Sequence, residues 1–162
     1  MKHIKLFESF EDIDSICRKY GIVNYTINPD GSVDVDGDVN LDNGVLIKLP
    51  LRFRNVSGDF HCSYNQLTTL EGAPREVGRG FSCSYNKLTT LEGAPERVGG
   101  SFYFYKNPIY TLYKLFNNYK EFMDSLDWDY IRGNKIVMSR FEEACEEAGI
   151  EVPESIEGYK YI

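Results

Sequence analysis

The feature that most constrains this chain is a near-verbatim tandem repeat. GDFHCSYNQLTTLEGAPREVG, from Gly58 to Gly78, is followed at once by RGFSCSYNKLTTLEGAPERVG, from Arg79 to Gly99, and 15 of 21 positions are identical. A unit this short cannot bury its own apolar face, so it must stack on copies of itself. The repeat therefore predicts an α/β solenoid, and a molecule whose business is surface recognition rather than chemistry in a cleft.

Within each unit the apolar and asparagine positions fall at Phe60, Cys62, Asn65, Leu67 and Leu70, then at Phe81, Cys83, Asn86, Leu88 and Leu91. This spacing resembles the leucine-rich-repeat pattern L-x-L-x-x-N-x-L-x-x-L, with Phe and Cys at positions where that family often has Leu. The frame extends upstream to Val39, Leu41, Leu46 and Leu49, where Gly44 replaces the asparagine, and downstream to Phe102, Phe104, Asn107, Ile109 and Leu112. Two clear units are thus flanked by one weaker unit on each side.

Alternation over Phe60-His61-Cys62 has the period of a half-buried strand, with Phe60 and Cys62 pointing in and His61 out. One strand per unit predicts a short parallel sheet with strands about 4.8 Å apart. Asn65, Asn86 and Asn107 are expected to form a structural ladder whose amides satisfy backbone groups left unpaired after each strand. The Glu-Gly-Ala-Pro segments turn the chain back, and the short, non-amphipathic return is expected to be extended or 3₁₀.

Such an array needs caps. Residues 1–36 are expected to supply one: a helix N-capped by Ser9, with Phe10, Ile13, Ile16, Cys17 and Tyr20 on one face and Gly21 at its end, then a hairpin from Tyr25 to Val35 around Asn28-Pro29-Asp30-Gly31. Residues 37–107 form the repeat region. Residues 108–162 are expected to be a helical cap, with a stripe from Leu112 through Leu115, Phe116, Tyr119, Phe122 and Met123 to Leu126. A capping box at Ser139-Arg-Phe-Glu142 would open its second helix, which ends before Gly149. The whole is read as one domain, a size that buries about two thirds of the unfolded surface.

The net charge of −7 is unevenly placed. Residues 1–57 carry 7 basic and 9 acidic side chains, residues 58–107 carry 5 and 5, and residues 108–162 carry 6 and 11. A neutral repeat region argues against nucleic acid as a partner, since that binding rests on basic patches. No apolar run is long enough to span a membrane, and no apolar leader segment follows Met1, so a cytoplasmic protein is expected. Cys17, Cys62, Cys83 and Cys145 all occupy apolar periodic positions, which predicts buried thiols in a reducing compartment rather than disulfides.

Candidate chemistry is sparse. Cys62 and Cys83 lie one period apart, but the spacing has no C-x-x-C element, and His61 faces away from Cys62. A cysteine nucleophile needs a base in a recessed site, and only His3 and His61 are available. Cys145 lies on the apolar face of a helix. Glu142, Glu143, Glu146 and Glu147 read as a solvated helix face without the glycine and alternating oxygen ligands of a calcium loop. No catalytic residue, metal or cofactor is expected, and the chain is read as a non-enzyme.

The outward sheet positions remain. In order they are Asn40 and Asp42, His61 and Ser63, Ser82 and Ser84, Tyr103 and Tyr105, with Tyr64, Tyr85 and Lys106 just past the strand ends. They pass from acidic through small hydroxyls to aromatic, and large rigid aromatics are the side chains that anchor interfaces. These residues form the candidate site for a protein or peptide partner.

Nearly the whole chain also resembles a group of small leucine-rich-repeat proteins of tailed bacteriophages. The opening MKHIKLFESF, the paired LTTLEGAP blocks and the ending RFEEACEEAGIEVPESIEGYKYI carry the likeness. It implies a phage-encoded module acting in the host cytoplasm and supplies no catalytic residues. Leu6-Phe7-Glu8 resembles the short L-x-E signal after which phage prohead proteases cut packaged proteins. The alternative expectation is therefore a virion-associated or capsid-packaged protein processed after Glu8.

Overall fold

The computed structural model describes residues 13–162. His3, the Leu6-Phe7-Glu8 segment, Ser9 and Phe10 lie outside the described residues. A helix over 13–19 (α1) places Ile13 and Cys17 in the core, one turn apart, and ends at Gly21, whose φ of 65° is the left-handed conformation that closes a helix. Strands β1 (Tyr25–Ile27) and β2 (Val33–Val35) follow as an antiparallel hairpin. Its turn is held by Asn28, which donates from its side chain to Ser32 Oγ at 3.1 Å, while Asp30 accepts from the Ser32 amide.

Each repeat unit contributes two strands, one to each of two sheets. One sheet, in the order β3-β5-β7-β9, is wholly parallel and consists of β3 (Val39–Asn40), β5 (Phe60–His61), β7 (Phe81–Ser82) and β9 (Phe102–Tyr103). Its register follows the period, with Val39 beside Phe60, Phe60 beside Phe81, and Phe81 beside Phe102. The other sheet runs β1-β2-β4-β6-β8, with β4 (Phe53–Val56), β6 (Glu76–Val77) and β8 (Arg97–Val98) in the return segments. Where the chain steps out of this second sheet, successive backbones touch. A Cβ on Gly78 would lie 2.0 Å from the Ser57 carbonyl oxygen, and one on Gly99 would lie 2.1 Å from that of Gly78.

The core lies between the two sheets. Phe53, Phe60, Phe81 and Phe102 form a file of rings with successive centroids 5.1, 5.5 and 5.3 Å apart. Val56 and Val77 face them from the second sheet, and Leu67, Leu70 and Leu88 fill the remaining space. Three asparagines tie one unit to the next. Asn86 Nδ2 donates to the Cys62 carbonyl at 2.9 Å and the Cys83 carbonyl at 3.0 Å, and its Oδ1 accepts from the Leu67 amide at 2.9 Å. Asn65 makes the same contacts to Leu41, Cys62 and Leu46, and Asn107 makes them to Cys83, Phe104 and Leu88.

The single-sheet leucine-rich-repeat solenoid closed by helical caps is not what forms. The described residues form a mixed α/β fold with three sheets. The N-terminal hairpin is not a separate cap, because β2 pairs in parallel with β4 and extends the second sheet. The C-terminal segment is not purely helical. Helices α2 (Pro108–Tyr113) and α3 (Tyr119–Ser125) interrupt the expected stripe, and Asn118 caps α3 by accepting from the Glu121 amide. A 3₁₀ turn (Leu126–Trp128) leads into β10 (Ile131–Arg132) and β11 (Lys135–Ile136), which pair with β12 (Lys160–Tyr161) as a third sheet. Helix α4 (Met138–Ala148) starts earlier than the Ser139 capping box requires. Val137 is its N-cap, and the Met138 amide donates to the Ile162 carbonyl, so sheet pairing rather than a side chain sets the helix start.

The C-terminal segment closes over the last repeat. Phe104 is buried among Tyr110, Tyr113 and Phe102, and the Tyr159 hydroxyl donates to the Thr89 carbonyl at 2.6 Å. Burial raises the Tyr130 phenol to about 12 and pushes the Tyr159 phenol up as well.

Two outcomes follow from this packing. Asn86→Ala strands two buried carbonyls and one amide in adjacent units and should cost about 1–3 kcal/mol, read as a lower denaturant midpoint at unchanged slope. A wild-type midpoint would show that the amide bonds are dispensable. At alkaline pH the unfolded chain releases a tyrosine proton near pH 10, as an unperturbed phenol does, while folded Tyr130 keeps its proton to about 12. The stability linked to Tyr130 is thus fully present below about pH 10 and is lost as pH climbs toward about 12. Tyr130→Phe should flatten the fall in melting temperature across that window; an unchanged fall would assign it to other groups.

Candidate functional site

The register of the four-stranded sheet decides which side chains share its outer surface. Asn40, His61, Ser82 and Tyr103 stand in one outward column, with Val39, Phe60, Phe81 and Phe102 pointing into the core. His61 and Ser82 are half-buried, and Tyr103 is exposed. These strands are only two residues long, so the alternation does not continue past them. Cys62 and Cys83 point inward, and the next residues, Ser63 and Ser84, are buried too. Ser63 Oγ bonds to Ser82 Oγ at 2.7 Å, and Ser84 Oγ accepts from the Tyr105 amide at 3.1 Å. Asp42 accepts from the Ser63 amide. Asp42, Ser63 and Ser84 therefore join neighbouring units together, and Ser63 and Ser84 do not offer a surface to a partner.

Past the strand ends the backbone turns left-handed once per unit. Asn43, Tyr64, Tyr85 and Lys106 have φ of 59°, 56°, 55° and 55°. Asparagine adopts this conformation readily, whereas for the others it carries strain of about 1–2 kcal/mol. Tyr64 and Tyr85 nevertheless stand there with their rings stacked, centroids 4.4 Å apart, and remain 52% and 44% exposed. Partial desolvation, with the neighbouring Tyr85 as a lesser cause, pushes the Tyr64 phenol up. Tyr103 and Tyr105 stack at 5.6 Å and are 43% and 45% exposed. The structure thus brings Tyr64 with Tyr85, and Tyr103 with Tyr105. It keeps Asn65, Asn86 and Asn107 buried beneath the surface as ladder residues.

Two features of this region lie beyond the outward columns read from the sequence. A hollow of about 410 Å³ lies beside the outward column, where Asp59, Arg79, Gly99 and Gly100 join His61, Ser82 and Tyr103. Arg79 and Gly100 occupy the corner between the sheets, and only their 21-residue spacing from Gly58 and from Arg79 respectively marks them in the sequence. At the far end of the sheet, Tyr105 meets Tyr110 at 5.1 Å, and α2 and α3 complete a hollow of about 340 Å³ lined by Phe102, Phe104, Tyr105, Tyr110, Tyr113 and Tyr119.

A larger hollow, about 800 Å³, lies instead over the five-stranded sheet, against Asp34, Asn55, Glu76 and Arg97. Most of its charges are matched: Arg54 pairs with Asp34, and Arg97 pairs with Glu76 at 2.9 Å, while Asp36, also in the lining, accepts from the Ser57 hydroxyl. Hydrogen bonds from Arg54 hold the Asp34 carboxyl below the usual carboxylate range. A surface that neutralises most of its own charges has less left to direct at a partner, so size alone does not make it the better candidate.

The remaining chemistry stays dispersed. All four cysteines are free, buried thiols. Burial pushes the Cys62 and Cys83 thiols up and raises Cys145 to about 11, which disfavours the reactive thiolate. Among the described residues, no group of three or more His, Cys, Asp or Glu side chains could hold a metal ion, and no helix is long and apolar enough to cross a membrane. No protein-family model, curated protein or solved structure matches the chain.

The strained tyrosine positions are testable through stability. Tyr85→Asn loses one stacked ring but relieves the left-handed strain, so it should melt within about 1 kcal/mol of wild type. Tyr85→Val puts a β-branched residue at a φ of 55° and should fall further, by about 1–2 kcal/mol or more. Equal losses in the two variants would mean that the ring contact, not the backbone, governs this position.

Proposed function

We propose that the protein is a non-enzymatic module that binds a protein or peptide across the four-stranded sheet and its aromatic end. The observation that carries this reading is the set of exposed tyrosines, Tyr64, Tyr85, Tyr103 and Tyr105, gathered in stacked pairs on one surface. Two of them hold a left-handed backbone that asparagine would adopt with less strain. Exposed aromatics in strained positions add little to the core, and rigid aromatic rings are the side chains that dominate interface energetics. The elevated cysteine pKa values support a binding role over nucleophilic catalysis. On the resemblance to tailed-phage proteins, the proposed place of action is the infected bacterial cell.

Affinity capture from host lysate with wild type and with a Tyr103→Ala/Tyr105→Ala double variant tests this. The double variant should lose the captured partner while keeping the wild-type melting profile. Retention of the same partner at the same yield would move the site away from this end of the sheet.

A further inference from the structure

We propose that the hollow at the end of the four-stranded sheet receives one aromatic side chain from an acidic peptide segment, with the flanking carboxylates of that segment held by Lys106, Lys114 and the tyrosine hydroxyls around it. The proposal rests on the reading of this surface as protein-binding and names the chemistry of the partner.

The hollow, about 340 Å³, is walled by six aromatic side chains and nothing else. That volume sits near the lower end for ligand pockets, about 300 Å³, and suits a single inserted ring. Its walls meet steeply: Phe104 and Tyr110 at 80°, Tyr105 and Tyr110 at 80°, Tyr113 and Tyr119 at 63°. A guest ring placed between such walls finds edges and faces together, the arrangement that aromatic pairs prefer.

The side-chain polar groups around it are phenol hydroxyls and ammonium groups, each able to donate. Tyrosines used elsewhere to hold the fold have hydroxyl partners: Tyr25 on Asp14, Tyr130 on Ser125, Tyr159 on Thr89 and Tyr161 on Pro153. Tyr105, Tyr110, Tyr113 and Tyr119 have no such partner among the described residues. Lys114 Nζ stands 5.8 Å from the centroid of the Tyr110 ring, and Lys106 follows Tyr105 directly in the chain. Neither lysine pairs with a carboxylate among the described residues, although the chain as a whole carries a net charge of −7. Of the acidic side chains on α3, Asp124 pairs with Lys120, and Glu121 accepts from the neutral amides of Asn117 and Asn118. Unmatched cations and free hydroxyls beside an aromatic hollow select a guest that is both aromatic and anionic. A single strand of nucleic acid also has these properties, but it needs a basic groove along its backbone, and residues 58–107 carry 5 basic and 5 acidic side chains while residues 108–162 carry 6 and 11.

The probes are acetyl-Glu-Asp-Trp-Asp-Glu-amide, the same peptide with Ala for Trp, the same peptide with Lys and Arg for the acids, and oligothymidine. Each is titrated against the full chain, and the tyrosine ring resonances are followed by NMR. The acidic tryptophan peptide should shift the rings of Tyr105, Tyr110, Tyr113 and Tyr119. Lys106→Asn and Lys114→Gln should each weaken it about two- to fivefold, the range that one exposed ion pair carries. Backbone amide spectra that overlay wild type keep the lysine variants interpretable. Equal or tighter binding by the basic peptide, by the alanine peptide or by oligothymidine overturns the proposal, and so does the absence of ring shifts up to the solubility of the peptide. If the ring shifts fail while the Tyr103→Ala/Tyr105→Ala variant still loses its captured partner, the acidic aromatic guest is wrong and the binding surface stands. If the shifts appear while capture is indifferent to those tyrosines, the hollow binds as proposed and the partner in the lysate sits elsewhere.

Discussion

The buried asparagine amide is the interaction on which the rest of this structure depends. After each strand of the four-stranded sheet the backbone bends away, leaving carbonyls that no neighbouring strand can satisfy. An amide side chain offers two donors and an acceptor in one plane, and at Asn65, Asn86 and Asn107 it bonds the carbonyls of its own unit and of the unit before it. Leaving such groups unpaired in the core would cost about 1–3 kcal/mol each. The amides therefore fix the 21-residue register, and the register fixes everything built on it: the file of phenyl rings inside, the outward column with His61 and Tyr103, and the recurring left-handed residue that carries Tyr64 and Tyr85. The series stops at Gly44, where a Cβ would lie 2.6 Å from the Asn65 amide oxygen that serves the Leu46 amide.

The period, the inward positions and the hairpin before the repeats were all legible in the sequence, because each is a local pattern recurring at fixed spacing. The second sheet was not. Segments such as Glu76–Val77 and Arg97–Val98 are two residues long, lie between Pro and Gly, and carry no alternation that would mark a strand. What makes them strands is the stacking itself: any extended segment repeated in register meets its own copy one unit away and pairs with it. Local propensity is a weak guide where tertiary repetition supplies the partner. The third sheet failed to show for a different reason. β11 pairs with β12 across more than twenty residues, and that pairing displaces the start of α4 from the Ser139 box to Met138.

The candidate surface was half legible. Alternation placed His61, Ser82 and Tyr103 on the outside, where they lie, but extending it to Ser63 and Ser84 presumed strands longer than two residues. Once the chain turns, those hydroxyls fall inside and serve as rungs between units. The aromatic hollow could not be read from one segment, since its walls come from β9, α2 and α3 together. Its residues looked like a helical core stripe. Tyr119 and Met123 lie on that stripe and remain exposed, because the break before Asn118 redirects α3.

Charge distribution separates the hollow over the five-stranded sheet from the aromatic one. Over the five-stranded sheet, arginines and carboxylates alternate between units and cancel, as Arg75 does with Glu96 and Arg97 with Glu76. Such pairs contribute little to stability when exposed, about 0–1 kcal/mol, but they leave a surface without net direction. At the aromatic end the opposite holds among the described residues: Lys106 and Lys114 pair with no carboxylate, the hydroxyls of Tyr105, Tyr110, Tyr113 and Tyr119 have no acceptor, and Lys106 stands where the backbone is strained. Each of these is a small local loss that the buried phenylalanine file and the asparagine bonds can carry, since one buried ring alone contributes about 1.5–3 kcal/mol. A fold whose register is secured from within has freedom to leave one end of its surface unsatisfied, and an unsatisfied end is where a partner gains most by arriving.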